Sequence, residues 1–211
     1  MAERKERERQ MKNIKRQSSM NLNELKDRAY KCACEHGFHV TEYPYYHWLM
    51  LTICELGEAV EADRCNRHAD KEAFERMMKD PILKDDTDED IVFYTNFKKY
   101  IKDTVEDELA DVVIRMLDFA GLMRIDLTDL QVEVDNKKTE KSDVDGSDLI
   151  TSSYAISAVL SDIHEDLEYI VCGTIAGVIL YAHRNNIDLE WHIEQKMRYN
   201  GLRPMLNGKK Y

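Results

Sequence analysis

The feature that most constrains the fold is residues 51–63, where two glutamates interrupt the apolar side of a predicted helix. At about 100° per residue, that side carries Trp48, Leu51, Ala59 and Ala62. Glu55 and Glu58 fall on the same side, within about 60° of each other. Because an unpaired buried carboxylate costs several kcal/mol, the sequence predicts a positive charge opposite this helix.

A second acidic pair follows in residues 105–119, where Glu108 and Asp111 border an apolar helical stripe. The stripe consists of Leu109, Val112, Val113, Met116, Leu117 and Ala120. If the two helices pack antiparallel, all four carboxylates converge, and they repel one another unless a hard cation neutralises them. Mg²⁺, with oxygen ligands, suits such a pocket and brings substrate phosphates with it, and Mn²⁺ is a possible substitute.

The residues themselves leave a simpler interpretation open. Glu55 and Glu58 could form an exposed acidic face, and Asp111 could pair on the surface with Arg115, four residues later. Glu61 makes a competing pair with Glu58, but it lies about 120° from Glu55, further towards solvent. We therefore assign Glu61 an outer position.

The end of the chain offers candidate substrate-binding residues. Lys196, Asn200 and Arg203 are spaced four and three apart, so on a helix end they face one way and can reach phosphate oxygens. The alternative is a C-terminal helix with cations at its favourable end. His47 and Trp48 precede Glu55 by one to two turns and could stack on a base, although a buried Trp is the commoner case.

These residues resemble the MazG-like all-α nucleoside triphosphate pyrophosphohydrolases. The resemblance is carried by Glu55-x-x-Glu58, by Glu108-x-x-Asp111 and by the ending K-M-R-Y-N-G-L-R-P at residues 196–204, and it covers roughly residues 22–211. Each acidic pair is a weak signal, whereas both pairs together with this tail are fairly specific. Residues 131–162 are a long insertion relative to the compact family pattern.

The resemblance implies an all-α helical bundle with a four-helix catalytic core and metal ligation by both acidic pairs. It also implies Mg²⁺-dependent hydrolysis of a (deoxy)nucleoside triphosphate to monophosphate and pyrophosphate, as in nucleotide-pool cleansing. Either Glu55 or Glu58 would orient the attacking water, and the tail would help bind phosphates. The family usually forms dimers or tetramers, so we expect a homodimer or homotetramer.

Two other functions remain open. One is a non-catalytic helical interaction protein built on the same bundle, whose melting temperature would not respond to Mg²⁺. The other is a phosphoribosyl-ATP pyrophosphohydrolase-like enzyme of the same superfamily. No Ser or Cys nucleophile with a nearby base and no Gly-rich phosphate loop appears in the sequence, which favours metal-assisted hydrolysis.

Composition supports one helical domain in a reducing compartment. The chain has 8 Gly and 3 Pro in 211 residues, which favours helices, and residues 21–211 can bury a single core. The five cysteines match neither a zinc motif nor a disulfide framework, and no apolar run is long enough for a membrane span, so we expect a cytoplasmic protein. A net charge of −11 argues against a general nucleic-acid surface.

Residues 1–20 differ from the rest of the chain, with seven Lys or Arg against three Glu. We predict a basic, disordered arm. The alternative is an electrostatic tether to a partner's acidic surface or to nucleic acid.

Helix signals cover most of the remaining chain. A linker is predicted at 137–147, an acidic loop at 84–90, and a faint repeat relates residues 119–127 to 181–189, a match that chance explains nearly as well. In the second copy Ile170 and Gly173 stand in place of the acidic pair. The predicted helices span about 21–35, 44–64, 70–79, 91–123, 147–160, 162–184 and 189–199.

Overall fold

The described parts of the chain fold into helices that pack together, which confirms the prediction of an all-α protein. The computed structural model describes residues 21–80, 88–139, 148–162 and 164–208, and the predicted arm at 1–20 lies outside them. Nine α-helices and one short 3₁₀ turn, Met205–Gly208, lie within these residues. The helices are α1 (Leu22–Glu35), α2 (Tyr45–Arg64), α3 (Lys71–Met78), α4 (Glu89–Tyr100), α5 (Val105–Met123), α6 (Thr128–Thr139), α7 (Leu149–Leu160), α8 (Leu167–Arg184) and α9 (Leu189–Gly201).

Helix α5 is the centre of the fold. It packs against α1, α2, α8 and α9, and it buries apolar side chains around most of its circumference, from Val105 to Ala120. A helix that is apolar on most sides is stable only when other helices surround it. Within the described residues, none of these helices has the length and apolar character needed to cross a lipid bilayer.

A smaller aromatic cluster joins α3 and α4 to the end of α9. Phe74, Phe93 and Phe97 are buried there against Tyr199, whose ring stacks on that of Phe97 with centroids 4.5 Å apart. This packing fixes the last turn of α9 beside α4. It thereby positions Lys196, one turn earlier on α9, over the start of α5.

The prediction of one long helix over 91–123 is wrong in one respect, because this segment forms two helices, α4 and α5, with a break between them. Asp103 adopts a left-handed conformation with φ of 61°, and the Thr104 hydroxyl accepts a hydrogen bond from the Asp107 N–H to start α5. Thr104-x-x-Asp107 resembles a capping box, the sequence signal for a helix start. The break puts Glu108 in the first turn of α5 rather than in mid-helix.

Other helix boundaries confirm or correct the predictions. Asp88 caps α4, so Glu89 and Asp90 are helical rather than part of a loop, and residues 84–87 lie outside the described ranges. Residues 137–139 end α6 rather than beginning a linker, and 140–147 lie outside the described residues. Helix α8 begins at Leu167, capped by Asp166, five residues later than predicted.

Helix α6 was not predicted from the sequence. Its apolar residues Leu130 and Val134 are buried one turn apart, but most of its other positions are polar, so the sequence shows only a weak helical periodicity. Contacts with α8 stabilise the helix in the folded protein. Tertiary packing of this kind regularly outweighs local sequence preference.

The two halves of the faint repeat end their helices in the same way. The N–H of Ile125 donates to the Ala120 carbonyl and that of Ile187 donates to the Ala182 carbonyl, each at 2.9 Å. The preceding residues, Arg124 and Asn186, both have positive φ, at 58° and 56°. Residues 119–127 and 181–189 therefore share a turn geometry, each leading into a following helix.

A tight contact between α1 and α5 makes Gly121 a sensitive position. A Cβ atom at Gly121 would lie 2.5 Å from the Cβ of Tyr30, a contact that only a shift of one helix could relieve. We expect Gly121→Ala to lower the free energy of unfolding by about 1–3 kcal/mol. The matched control is Gly57→Ala, where the new Cβ meets nothing within 4 Å and should stabilise the helix by about 0.5–1 kcal/mol. Denaturant unfolding measures both, and changes of the same sign would contradict this account.

Candidate metal centre between α2 and α5

Carboxylates from the two acidic helices meet where α2 packs against α5. Glu55 on α2 and Glu108 and Asp111 on α5 each offer an oxygen, and these oxygens lie within 4.8 Å of one another. In an octahedral Mg²⁺ site, neighbouring oxygens are about 3 Å apart and opposite ones about 4 Å apart. The three side chains therefore fit such an ion after movements of less than about 1 Å.

The start of α5 explains why acidic residues collect here. Asp107 lies in the first turn, where its Oδ2 accepts a hydrogen bond from the Asp103 N–H at 3.0 Å. The N-terminal end of a helix carries a partial positive charge, which favours Asp107 and Glu108. The other oxygen of Asp107, Oδ1, is buried without a hydrogen-bond partner among the described residues.

Lys196 of α9 brings a buried positive charge to the same place. Its Nζ lies 2.7 Å from Asp107 Oδ2 and 2.8 Å from Asp111 Oδ2, and its side chain is 4% exposed. Burial by itself lowers the pKa of this ammonium, but the carboxylates of Asp111, Asp107 and Glu108 outweigh burial and raise it. Lys196 is therefore charged and bridges two carboxylates of α5.

Arg115 supplies the second positive charge. Its Nε donates to Glu55 Oε1 at 2.6 Å, and Nη2 lies 2.5 Å from the same oxygen. Burial lowers the pKa of Arg115, but the charge of Glu55 raises it above its ordinary value. Arg115 thus ties α5 to α2 across the candidate site.

The net charge of the side chains around the candidate site is negative. When all are ionised, four carboxylates and two cations leave a net charge of −2, which one divalent ion would balance. The side chains counted are Glu55, Asp107, Glu108, Asp111, Arg115 and Lys196.

Burial raises the pKa of three acidic side chains of the site above its ordinary value. Burial, reinforced by Asp111, Asp107 and Glu55, raises the pKa of Glu108 to about 9, although Lys196 opposes the change. Burial also raises the pKa of Asp107 to about 6, and burial together with Asp111 raises the pKa of Glu55. Such shifts mark a site where an added positive charge would be strongly favoured.

The carboxylates line a pocket of about 540 Å³ that also has an apolar wall. Its polar part includes Lys196, Asn200 and Arg203 from the end of the chain. The apolar wall comes from α1, α2 and the segments beside them, including Ala29, Phe38, Trp48 and Leu51. A pocket lined by both convergent charged groups and apolar side chains is typical of a small-molecule site.

The predicted site residues occupy different parts of this pocket. Glu58 is exposed and lines the pocket outside the group of three carboxylates. The amide oxygen of Asn200, Oδ1, is buried and has no hydrogen-bond partner among the described residues. The Arg203 guanidinium donates to the Asn207 carbonyl at 3.1 Å, so part of its hydrogen-bonding capacity is used within the tail.

The two aromatic residues before Glu55 differ in whether they line the pocket. Trp48 is buried and lines the pocket, with its ring centroid 5.0 Å from that of His39. His47 stacks on Tyr43 at 4.1 Å and is not among the pocket-lining residues. The structure thus brings Trp48, but not His47, to the pocket wall.

Sequence analysis missed several contributors to the site. Asp107 and the pairing of Arg115 with Glu55 were not predicted, and neither was the hydrogen bond between His39 Nε2 and Asp118 Oδ1, which are 2.7 Å apart beside the pocket. The capping pattern Thr104-x-x-Asp107 could have located the start of α5 and hence Asp107. We find no sequence signal for the partner of Arg115.

In the described residues, fold and site together define an all-α protein in which Glu55, Glu108 and Asp111 line one pocket. Comparisons with protein-family models, with curated proteins and with solved structures found no match to this chain. The MazG-like interpretation therefore stays a prediction from the sequence.

The raised pKa of Glu108 predicts a pH-dependent effect on stability. In the folded protein this pKa rises from the ordinary 4.5 to about 9, so the folded state keeps a proton that the unfolded chain releases. The resulting stabilisation is complete below pH 4.5 and is lost as the pH rises through about 9. We therefore expect metal-free Glu108→Gln to become more stable than the wild-type protein as the pH rises.

Denaturant unfolding in EDTA at about pH 5, 7 and 9 measures this effect. The difference between the two proteins should grow with pH and reach several kcal/mol at the highest value. A difference independent of pH would contradict the raised pKa.

Proposed function

We propose that this protein is a MazG-like, Mg²⁺-dependent pyrophosphohydrolase that cleaves a (deoxy)nucleoside triphosphate into a nucleoside monophosphate and pyrophosphate. The observation that carries the proposal is the meeting of Glu55, Glu108 and Asp111, from two helices, in the lining of one pocket. The proposal includes the four-helix catalytic core that the sequence resemblance implies.

In this proposal Glu55, Glu108 and Asp111 hold Mg²⁺. The bound ion would polarise the phosphoryl group and neutralise the phosphate charge. Lys196 of α9 holds Asp111 in place together with Asp107, and Arg115 of α5 holds Glu55 of α2. Glu108 would release its proton when the ion binds, because metal ligation requires the carboxylate form.

Glu58 is the residue that we assign to orient the attacking water. It lines the pocket next to the carboxylate cluster, is exposed, and lies outside the group of three candidate ligands. Glu55 is the weaker candidate for this role because Arg115 occupies its Oε1. A carboxylate that holds the water and accepts its proton is the usual general base in such a step.

The rest of the pocket matches the two ends of a nucleotide. Arg203 and Asn200 line it from the tail and can contact phosphate oxygens, whereas Lys196 is already held by Asp107 and Asp111. The apolar wall with Trp48 can accept a base by stacking. We therefore assign the triphosphate to the carboxylates and the tail, and the base to the apolar side chains.

The decisive experiment incubates the protein with each deoxynucleoside triphosphate and Mg²⁺ and measures pyrophosphate release. We expect turnover that EDTA abolishes and that Mn²⁺ partly restores. Competition by phosphoribosyl-ATP in the same assay distinguishes the related activity on that substrate. Absence of turnover on every nucleotide would refute the enzyme assignment.

We also propose that copies of this chain associate as a homodimer or homotetramer. Exposed Tyr46 and Met50 lie one turn apart on α2, and exposed Ile150 and Tyr154 lie one turn apart on α7, which contacts α2. Exposed apolar side chains on neighbouring helices are typical of an interface. Light scattering coupled to gel filtration should give a multiple of the 24.8 kDa chain, and a monomer would contradict this expectation.

A further inference from the structure

Asp118 is a carboxylate of the pocket that lies outside the candidate metal centre. It follows Asp111 by seven residues on α5, so the two side chains leave the same side of the helix, about 10 Å apart along its axis. Both residues line the pocket, whereas the candidate ligands are Glu55, Glu108 and Asp111. The pocket therefore has a further carboxylate about two helical turns from the metal centre.

His39 engages one oxygen of Asp118 and leaves the other available to a ligand. His39 Nε2 lies 2.7 Å from Asp118 Oδ1, and among the described residues no other group donates a hydrogen bond to this carboxylate. Burial raises the pKa of Asp118, and the hydrogen bond with His39 opposes the rise. The Asp118 side chain is 15% exposed, and the residue lines the pocket. Because a largely buried carboxylate is stabilised by each donor it receives, Oδ2 can accept an N–H or O–H group of a bound molecule.

Asp118 is close to the apolar wall that contains Trp48. The His39 ring, which contacts Asp118, has its centroid 5.0 Å from that of Trp48 and 5.2 Å from that of Tyr30. Trp48 lines the pocket, and the proposed function assigns it to stack on the base. A base on Trp48 therefore has a carboxylate nearby, to which its edge can donate hydrogen bonds.

A carboxylate distinguishes the bases by the donors on their Watson–Crick edges. Guanine carries a ring N–H and an amino group side by side, so it can donate two parallel hydrogen bonds to one carboxylate, as an arginine side chain does. Adenine and cytosine offer an amino group next to a ring nitrogen that is itself an acceptor. Thymine and uracil offer one N–H between two carbonyl oxygens, which a carboxylate repels. Guanine is therefore the base that this carboxylate favours most.

We propose that Asp118 selects guanine, so that the substrate is a guanine (deoxy)nucleoside triphosphate. Trp48 stacks on the base, and Asp118 accepts hydrogen bonds from its ring N–H and amino group. His39 is a positioning residue, because it holds Oδ1 and thereby fixes the direction of Oδ2. This inference rests on the proposed function, since it requires a nucleotide in the pocket.

Pyrophosphate release from the four common deoxynucleoside triphosphates and from deoxyinosine triphosphate tests the selection. We expect the highest kcat/KM for dGTP. Deoxyinosine triphosphate keeps the ring N–H of guanine but lacks its amino group, so we expect its kcat/KM to be about tenfold lower or less. Equal kcat/KM values for all five nucleotides, or a preference for dTTP, would overturn the proposal.

Asp118→Asn should change the order of the substrates. If the new amide oxygen accepts the hydrogen bond from His39, the amide NH₂ takes the place of Oδ2 and presents donors to the base. We expect kcat/KM for dGTP to fall by about tenfold to a hundredfold, while that for dTTP is unchanged or rises. The matched control is Asp27→Asn, at a side chain that is 79% exposed and outside the pocket lining, and it should keep the wild-type order. An equal loss on every nucleotide would assign Asp118 to stability or to the sugar and would overturn its role in base selection.

Calorimetric titration with the four deoxynucleoside monophosphates separates this inference from the proposed function, because it requires no hydrolysis. We expect dGMP to bind the wild-type protein about tenfold more tightly than the other three and to lose this advantage in Asp118→Asn. Preferential dGMP binding without pyrophosphate release from any nucleotide would refute the enzyme and leave guanine selection standing. Pyrophosphate release with equal binding of all four monophosphates would refute guanine selection and leave the enzyme standing.

Discussion

On the proposed function, we expect Glu108→Gln to lower Mg²⁺-dependent pyrophosphate release by about a hundredfold or more. Substitution of groups that merely support a metal ligand typically costs 10–100-fold, so loss of a ligand costs at least as much. Glutamine keeps the shape of the side chain and resembles the protonated glutamate that burial favours, because the pKa of Glu108 is about 9. We therefore expect the fold to survive in this variant while the affinity for Mg²⁺ falls.

Glu61→Gln is the matched control, because it removes a carboxylate that lies outside the buried cluster. Glu61 lies on the same helix as Glu55, but it is exposed and pairs with Arg64 at 2.7 Å. We expect this control to keep wild-type turnover and Mg²⁺ affinity. Titration of each variant with Mg²⁺, followed by calorimetry, should show weakened binding for Glu108→Gln.

Two outcomes would contradict the assignment of Glu108. One is wild-type turnover in Glu108→Gln, which would remove this side chain from the reaction. The other is an equal loss in Glu61→Gln, which would point to the overall negative charge of the protein and not to a defined site. A lowered melting temperature of metal-free Glu108→Gln near pH 9 would contradict the raised pKa as well.

Local sequence patterns were sufficient to predict the helices that carry the site. The apolar period of α2 places Glu55 on the buried side, as the structure shows, but it also places Glu58 there, and Glu58 is exposed. The same period places Glu108 and Asp111 on α5. These predictions succeed because the side-chain direction on a helix follows from residue spacing.

Partners across helices could not be predicted in the same way. Lys196 looked like a phosphate ligand from its place near a basic helix end, yet it is buried between Asp107 and Asp111. Arg115 looked like an i+4 partner of Asp111, yet it binds Glu55 on another helix. Residue spacing fixes the face of one helix but not the identity of the helix packed against that face, which depends on the whole fold.

The burial of Lys196 has a large consequence for stability. Lys196→Met removes the ammonium while keeping most of the side chain's volume, and it leaves Asp107 and Asp111 without their shared positive partner. Breaking a buried ion pair by removing one partner typically costs about 3–5 kcal/mol, because the remaining charge stays buried. For a chain of 211 residues this loss lowers the melting temperature by about 10 °C or more.

Denaturant unfolding at neutral pH measures this loss, with Lys31→Met as the matched control. Lys31 pairs with Glu35 on the surface of α1 and its side chain is 75% exposed, so its loss should change the free energy of unfolding by less than about 0.5 kcal/mol. Adding Asp107→Asn to Lys196→Met should recover part of the stability, because it removes one of the two stranded charges.

Mg²⁺ should stabilise Lys196→Met more than it stabilises the wild-type protein. Removing one positive charge from the cluster leaves a larger negative charge for the ion to neutralise, and a ligand that binds the folded state more tightly raises stability further. Melting temperatures with and without Mg²⁺ measure this difference.

The comparison with Lys31→Met also tests the role of the ion pair itself. If Lys196→Met and Lys31→Met lose the same small amount of stability, the buried bridge from α9 to α5 does not hold the carboxylates together.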